Sequence, residues 1–159
     1  MNRLASLGIF LLLVVIAVAV GGLFTGGDWY QQMNQPAWSP PAMVMASVWS
    51  ILYALMAISA WMVWDTMRAL AAVPLGWWGL QLLLGTCWSW VYFGLERPGW
   101  SLPVMSLWLV AVLIVIKTFR SVRPEASNLM LPVAGWLLFL WVLNLVQWNM
   151  NGGGLGSIF

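Results

Sequence analysis

Trp49 and Tyr53 stand four residues apart in an apolar run, and the same pairing of rings with uncharged polar groups returns twice further along the chain. Gln81, Gly85, Trp88 with Ser89, and Tyr92 form one helical stripe; Trp136, Leu140, Asn144 and Gln147 form another. Rings offer stacking surface, while amides and hydroxyls fix orientation, and pockets between bundle helices are built from that mixture. The chemistry to expect is recognition of a flat, apolar ligand. A competing use exists, since Gln81, Asn144 and Gln147 are also the residue types that join helices to one another by hydrogen bonds. Any one stripe alone favours that use. Three stripes on three helices favour an interior site.

Other chemistries lack their residues. Histidine is absent, and the four acids, Asp28, Asp65, Glu96 and Glu125, all lie in or beside the polar breaks between apolar runs. An ion-coupled carrier usually needs an ionisable group at membrane depth. No cluster of His, Cys and carboxylate suits a metal, and neither a Ser-His-Asp set nor a carboxylate pair can be assembled. No catalytic residue, metal or cofactor is therefore expected. Cys87 is the single cysteine, so no intrachain disulfide forms. The six basic residues are too scattered for a nucleic-acid stripe.

The elements that must position these stripes follow from composition. Of 159 residues, 63% are hydrophobic and 6% charged, and the mean hydropathy is +0.91. A soluble domain keeps roughly a quarter of its residues charged, so most of this surface must face lipid. Crossing a bilayer takes about 20 apolar residues in a helix. Five runs qualify, at about 5–24, 43–64, 75–95, 101–119 and 129–149. The reading is an all-α integral membrane bundle of five transmembrane helices, one domain over 1–151 with a flexible tail at 152–159. The first run is longer than a typical signal-peptide core, which argues for an uncleaved helix.

Arg3, Arg68, Lys117, Arg120 and Arg123 fall on one side of such a bundle and Arg97 alone on the other. The positive-inside rule then puts the N-terminus in the cytoplasm and the C-terminus outside, for a bacterial cytoplasmic membrane. Loop 3, Glu96-Arg97-Pro98-Gly99, reads as a tight turn. Loop 1, from Thr25 to Pro41, is long and carries Trp29, Tyr30, Pro36, Trp38, Pro40 and Pro41, which suits a lid. Among the fourteen tryptophans, Trp61, Trp64, Trp77, Trp78, Trp100 and Trp148 lie near span ends, where indoles form an interfacial belt. Trp49, Trp88, Trp90, Trp108, Trp136 and Trp141 lie deeper. Ala17 and Gly21 make a small-xxx-small pair that permits close helix approach.

Trp29-Tyr30, Gln35-Pro36-Ala37-Trp38-Ser39-Pro40-Pro41 and Val48-Trp49-Ser50-Ile51-Leu52-Tyr53 together resemble the TspO/MBR family of tryptophan-rich sensory proteins and translocator proteins. Trp88-Ser89 with Phe93-Gly94, and Pro132, Trp136, Leu143-Asn144 through Trp148 to Asn151, agree with it. The resemblance implies a five-helix bundle, often a homodimer, with a cavity under loop 1. The ligands it implies are porphyrins, haem-related tetrapyrroles and benzodiazepine-type compounds, handled for transport, sensing or disposal. It matches Trp49 and Trp136 to two cavity tryptophans, implicated in some relatives in light-dependent porphyrin breakdown. Tyr53, Trp88, Ser89, Leu140 and Asn144 match other cavity-lining positions, and Trp38 the lid. Gly85 replaces a usual asparagine, and Leu140 a usual small residue, which should narrow the pocket. The sterol motif of animal members needs a tyrosine and a following basic residue; Leu143 to Asn151 has neither, so cholesterol is not expected as a ligand. With no histidine, axial ligation of haem iron would fall to Cys87 or a methionine, which favours metal-free porphyrin.

Overall fold

The computed structural model describes residues 3–25 and 27–153. Its helices are α1 (Arg3–Gly22), α2 (Asp28–Gln32), α3 (Ala42–Met67), α4 (Ala72–Ser89), α5 (Pro98–Arg120) and α6 (Pro124–Met150). All but the short α2 correspond to the five apolar runs. At about 1.5 Å per residue, the 20 residues of α1 span roughly the 30 Å of a bilayer core.

The helices overrun the apolar stretches because their ends use polar and proline residues. Pro98 and Pro124 open α5 and α6 at the first turn, where a missing N–H costs nothing. Loop 3 is consequently shorter than its four residues suggest. Glu96, at φ 56°, and Arg97 make the reversal, and Pro98-Gly99 already belong to the helix. Between α3 and α4 a single 3-10 turn, Arg68–Ala71, follows the break at Arg68, whose φ is 53°. At the other end of the chain, Gly152 adopts a left-handed φ of 84° and the Gly153 amide donates to the Trp148 carbonyl at 2.8 Å. Both glycines thus cap α6; the remainder of the expected tail, from Gly154, lies outside the described residues.

In space α1 packs on α3, α3 on α6, α6 on α5, α5 on α4, and α4 back on α1, which closes a ring. One end of the ring is tied by charge. Asp65 takes Arg3 at 2.9 Å and Arg68 at 3.1 Å, and the Trp61 indole donates to the Arg3 carbonyl. The other end is covered by loop 1. Asn34 and Asn151 exchange two hydrogen bonds of 2.9 Å, pinning the loop to the end of α6.

The core sits toward this ring's charged end, around Met56, Ala60, Val63, Val112, Val115, Phe119, Met130 and Val133. Trp78 belongs here and not to the interfacial belt. It is 2% exposed and donates to the Met56 carbonyl at 3.0 Å, with Phe10 edge-on at 5.5 Å. Its position in the run suggests an interface, but it lies on the face that packs against α1 and α3.

Candidate functional site

Beneath loop 1 lies a cavity of about 960 Å³. Its walls are α1, α3 and α4, its roof is loop 1, and one residue of α5, Trp108, reaches in from the far side. That volume is at the upper end of the roughly 300–1,000 Å³ usual for small-molecule sites. α1 contributes the stripe Leu11, Val14, Val15, Val18 and Gly21, α3 contributes Met45, Trp49 and Tyr53, and α4 contributes Gly85, Trp88 and Ser89. Tyr30, Gln35, Ser39, Pro40 and Pro41 form the roof.

The indoles in this wall touch one another. Trp49 lies parallel to Trp108, at 4° and 5.8 Å between ring centroids, and stacks on Tyr53 at 5.3 Å. Trp88 meets Trp108 at 6.2 Å and Tyr92 at 5.2 Å. Tyr92 is aimed inward by a turn of π-helix over Trp90–Gly94, which widens the end of α4. Ser89 donates to the Gly21 carbonyl at 2.8 Å. This bond joins α4 to α1 at the glycine expected to allow close approach, within the chain.

Loop 1 is folded rather than loose. It contains α2, with Asp28 in its first turn where a carboxylate complements the helix dipole. Tyr30 packs edge-on to Phe93 at 5.3 Å, and Trp29 to Tyr92 at 5.9 Å. The Ser39 hydroxyl donates to Gln35 Oε1 at 2.8 Å, and its amide to the carbonyl of the buried Pro36 at 2.9 Å.

The predicted residues therefore fall into two groups. Trp49, Tyr53, Trp88 and Ser89, with Tyr30, Pro40 and Pro41 of loop 1, line the cavity. Trp136, Leu140 and Asn144 of α6 do not, and neither do Trp29, Pro36 or Trp38. Asn144 is 1% exposed, and both its oxygen and its amide nitrogen are engaged. Its Oδ1 accepts from the Ser101 hydroxyl at 2.6 Å and from the Trp88 indole at 3.3 Å, and its amide donates to the Pro98 carbonyl at 3.0 Å. Leu140 forms a small buried cluster with Met105 and Leu143, and Met45, Trp49 and Trp88 of the cavity wall pack against that cluster. Trp136 stacks on Phe139 at 5.0 Å, its N–H buried without a partner, and Trp38 meets Phe139 edge-on at 5.8 Å.

The other amides behave like Asn144. Gln81 is fully buried and accepts from the Trp108 indole at 3.0 Å, while Gln147 accepts from the Tyr92 hydroxyl at 2.7 Å. All three thus hold aromatic residues from other helical segments, and two of those residues, Trp88 and Trp108, line the cavity.

This architecture can be set beside known proteins. The model of the TspO/MBR family matches residues 9–149. The chain belongs to the TspO/MBR family. It is 33% identical to the translocator protein of Homo sapiens over 144 residues, 87% of this chain and 85% of that protein. It is 32% identical to protein CrtK of Rhodobacter capsulatus over 153 residues, 94% and 95% of the two chains. A tryptophan-rich protein TspO of Archaeoglobus fulgidus is 28% identical over 154 residues, covering 88% and 94%.

Within this TspO/MBR bundle the wall that sequence reasoning missed is instructive. α1 is apolar all round, so periodicity marks no face on it, yet it lines much of the cavity. Trp108 was legible as a deep indole, but no polar neighbour on its own helix marked its stripe. Its partner Gln81 comes from α4. The one available signal is Gly85: a glycine in mid-helix often marks a close approach, and the Trp108 ring fills the space there. Arg97 lies elsewhere, in a separate pocket of about 400 Å³ with Trp29, Glu96, Trp148 and Asn151. The main cavity's polar lining consists of neutral groups, Tyr30, Gln35 and Ser39 in the roof among them. Cys87 is exposed, which leaves Met45 as the sulfur in the wall.

Proposed function

We propose that this protein binds a porphyrin or a related flat tetrapyrrole inside the membrane and serves its transport, sensing or disposal. The observation that carries the reading is the contiguous set Trp49, Trp108 and Trp88 along one wall of a 960 Å³ cavity. Flat π-faces stack on indoles with about 0.5–1.5 kcal/mol per aromatic pair beyond what area burial supplies. The rest of the wall is aliphatic, which suits a macrocycle's rim. Ligand carboxylates would sit at the roof, where the Tyr30 hydroxyl and the second N–H of the Gln35 amide offer hydrogen-bond donors. A metal-free porphyrin fits these residues best, because Met45 is the sole soft donor in the wall. The basic residues Arg3 and Arg68 share one end of the bundle, opposite loop 1, which favours loop 1 on the outer face.

The test is a titration of the purified protein in nanodiscs with protoporphyrin IX, read by quenching of tryptophan fluorescence. Saturable quenching that weakens in Trp49→Ala is the expected result; quenching that never saturates would remove the proposal. A second reading, light-driven porphyrin breakdown, is favoured by the unbroken ring contacts from Trp49 through Trp108 and Trp88 to Tyr92. There the ligand supplies the photochemistry and the protein its position. Bleaching of bound porphyrin under illumination, faster than in empty nanodiscs and dependent on oxygen, distinguishes it from binding alone.

A further inference from the structure

We propose that Trp108, seated on Gly85, is the specificity-determining residue of the cavity: buried behind Trp49 and Trp88, it sets the depth of the site. The proposal rests on the binding function given above. Its first support is steric. A Cβ at Gly85 would lie 2.6 Å from Cζ2, 2.9 Å from Cη2 and 3.0 Å from Cε2 of the Trp108 ring. The indole therefore lies against the backbone of α4, in space that any other residue at position 85 would claim.

The second support is that the ring is held where it is. Trp108 is 2% exposed, and its N–H donates to Gln81 Oε1 at 3.0 Å, with Gln81 itself wholly buried. Trp49 lies parallel to it on the α3 side, and Trp88 tilts against it on the α4 side. An indole anchored through its N–H and stacked on a neighbour keeps one position as long as its seat on Gly85 stays empty. It is a fixed floor.

The third support is what lies at the cavity wall. Trp108 is the α5 residue that lines the cavity, and α6 contributes none of the lining residues. Trp136 instead stacks on Phe139, and its N–H meets no partner. Gly85 and Trp108 are thus one device. The glycine removes a side chain so that the indole can advance, and the indole bounds the space available to ligand.

The pair makes a prediction about ligand size that neither residue makes alone. Trp108→Leu, in nanodiscs, should deepen the site and shift preference toward larger planes. The measured quantity is the ratio of Kd for pyrene to Kd for protoporphyrin IX, read by energy transfer or quenching from tryptophan. That ratio should rise about tenfold, the scale of discrimination that one or two missing apolar groups produce in a pocket. Gly85→Ala should weaken both ligands in the parent protein, because its methyl pushes the ring into the cavity. In the Trp108→Leu background the same change should do little. Should Trp108→Leu fail to fold, Gly85→Ala and Trp108→Phe carry the same test, since the first advances the floor and the second shrinks it while keeping a ring. A Kd ratio unchanged in every folded variant would overturn the inference while leaving the binding function intact. Absence of any saturable binding by the parent protein would overturn both.

Discussion

The α1–α3–α4 side of the bundle and the α5–α6 side use the same kinds of residue to opposite ends. On the first side, the rings of Trp49, Tyr53 and Trp88 border open space, and the small residues Ala17, Gly21 and Gly85 line it with them. On the second, Asn144, Ser101, Leu140 and Met105 fill the space they enclose, and Asn144 bonds to three neighbours at once. The difference is one of saturation. A polar group whose hydrogen bonds are spent on its own chain stiffens the fold, while a ring with a free face is left for a ligand. Residue type says only that one of the two will happen.

Replacing Asn144 with leucine should have the largest effect. It leaves the Trp88 N–H without its acceptor and the Pro98 carbonyl without one donor. Buried groups left unsatisfied cost about 2–3 kcal/mol in sum. The thermal midpoint in detergent should fall by several degrees, and ligand affinity should fall with it because Trp88 loses its anchor. An unchanged midpoint would mean that the two sides are energetically independent.

Trp49→Ala removes a stacking face but no structural hydrogen bond, so its effect should be on binding more than on folding. The expected loss is about 1 kcal/mol from the lost stacking, or roughly fivefold in porphyrin Kd. Asn151→Ala should act on rates. It breaks the two bonds to Asn34 that pin loop 1 to α6. Both association and dissociation of ligand, followed by stopped-flow quenching, should accelerate by similar factors, with Kd changing about twofold or less because exposed hydrogen bonds contribute little net free energy. The smallest effect belongs to Trp136→Phe. It keeps the stack on Phe139 and deletes an N–H that has no partner, so porphyrin Kd should stay within about twofold. A loss as large as that of Trp49→Ala would place Trp136 at the ligand and erase the contrast between the two sides.

Much of this was legible in the chain. The five spans follow from run length, and α3, α5 and the start of α6 extend beyond the apolar runs as far as a proline or a charged residue. Trp49, Tyr53, Trp88 and Ser89 were found because rings and polar groups at helical spacing mark one face. The stripe on α6 was equally legible, and it is the one whose meaning depended on its neighbours. Trp136, Leu140 and Asn144 share a face, but that face meets α5 and the Trp88 ring rather than the cavity. Leu140 was expected to narrow the pocket; it is not itself in the lining, and its cluster with Met105 and Leu143 packs behind the wall residues Met45, Trp49 and Trp88. Gly85, read as a lost polar contact, is the seat of Trp108. α1 signalled only the close approach at Ala17 and Gly21 and not its lining role, since a helix that is apolar on every side has no polar face to set against an apolar one.

By itself the chain determined a membrane-spanning helical bundle, the length of its spans, the lid-like loop and the pool of rings from which a site is built. These depend on composition and on the 3.6-residue repeat, which are properties of one strand of sequence. Which ring faces a cavity and which amide is spent on a neighbour was decided by the order of helices around the bundle. That order brings residues 85 and 108, or 88 and 144, within contact distance. Contacts between helices are relations between distant positions, and no local period encodes them.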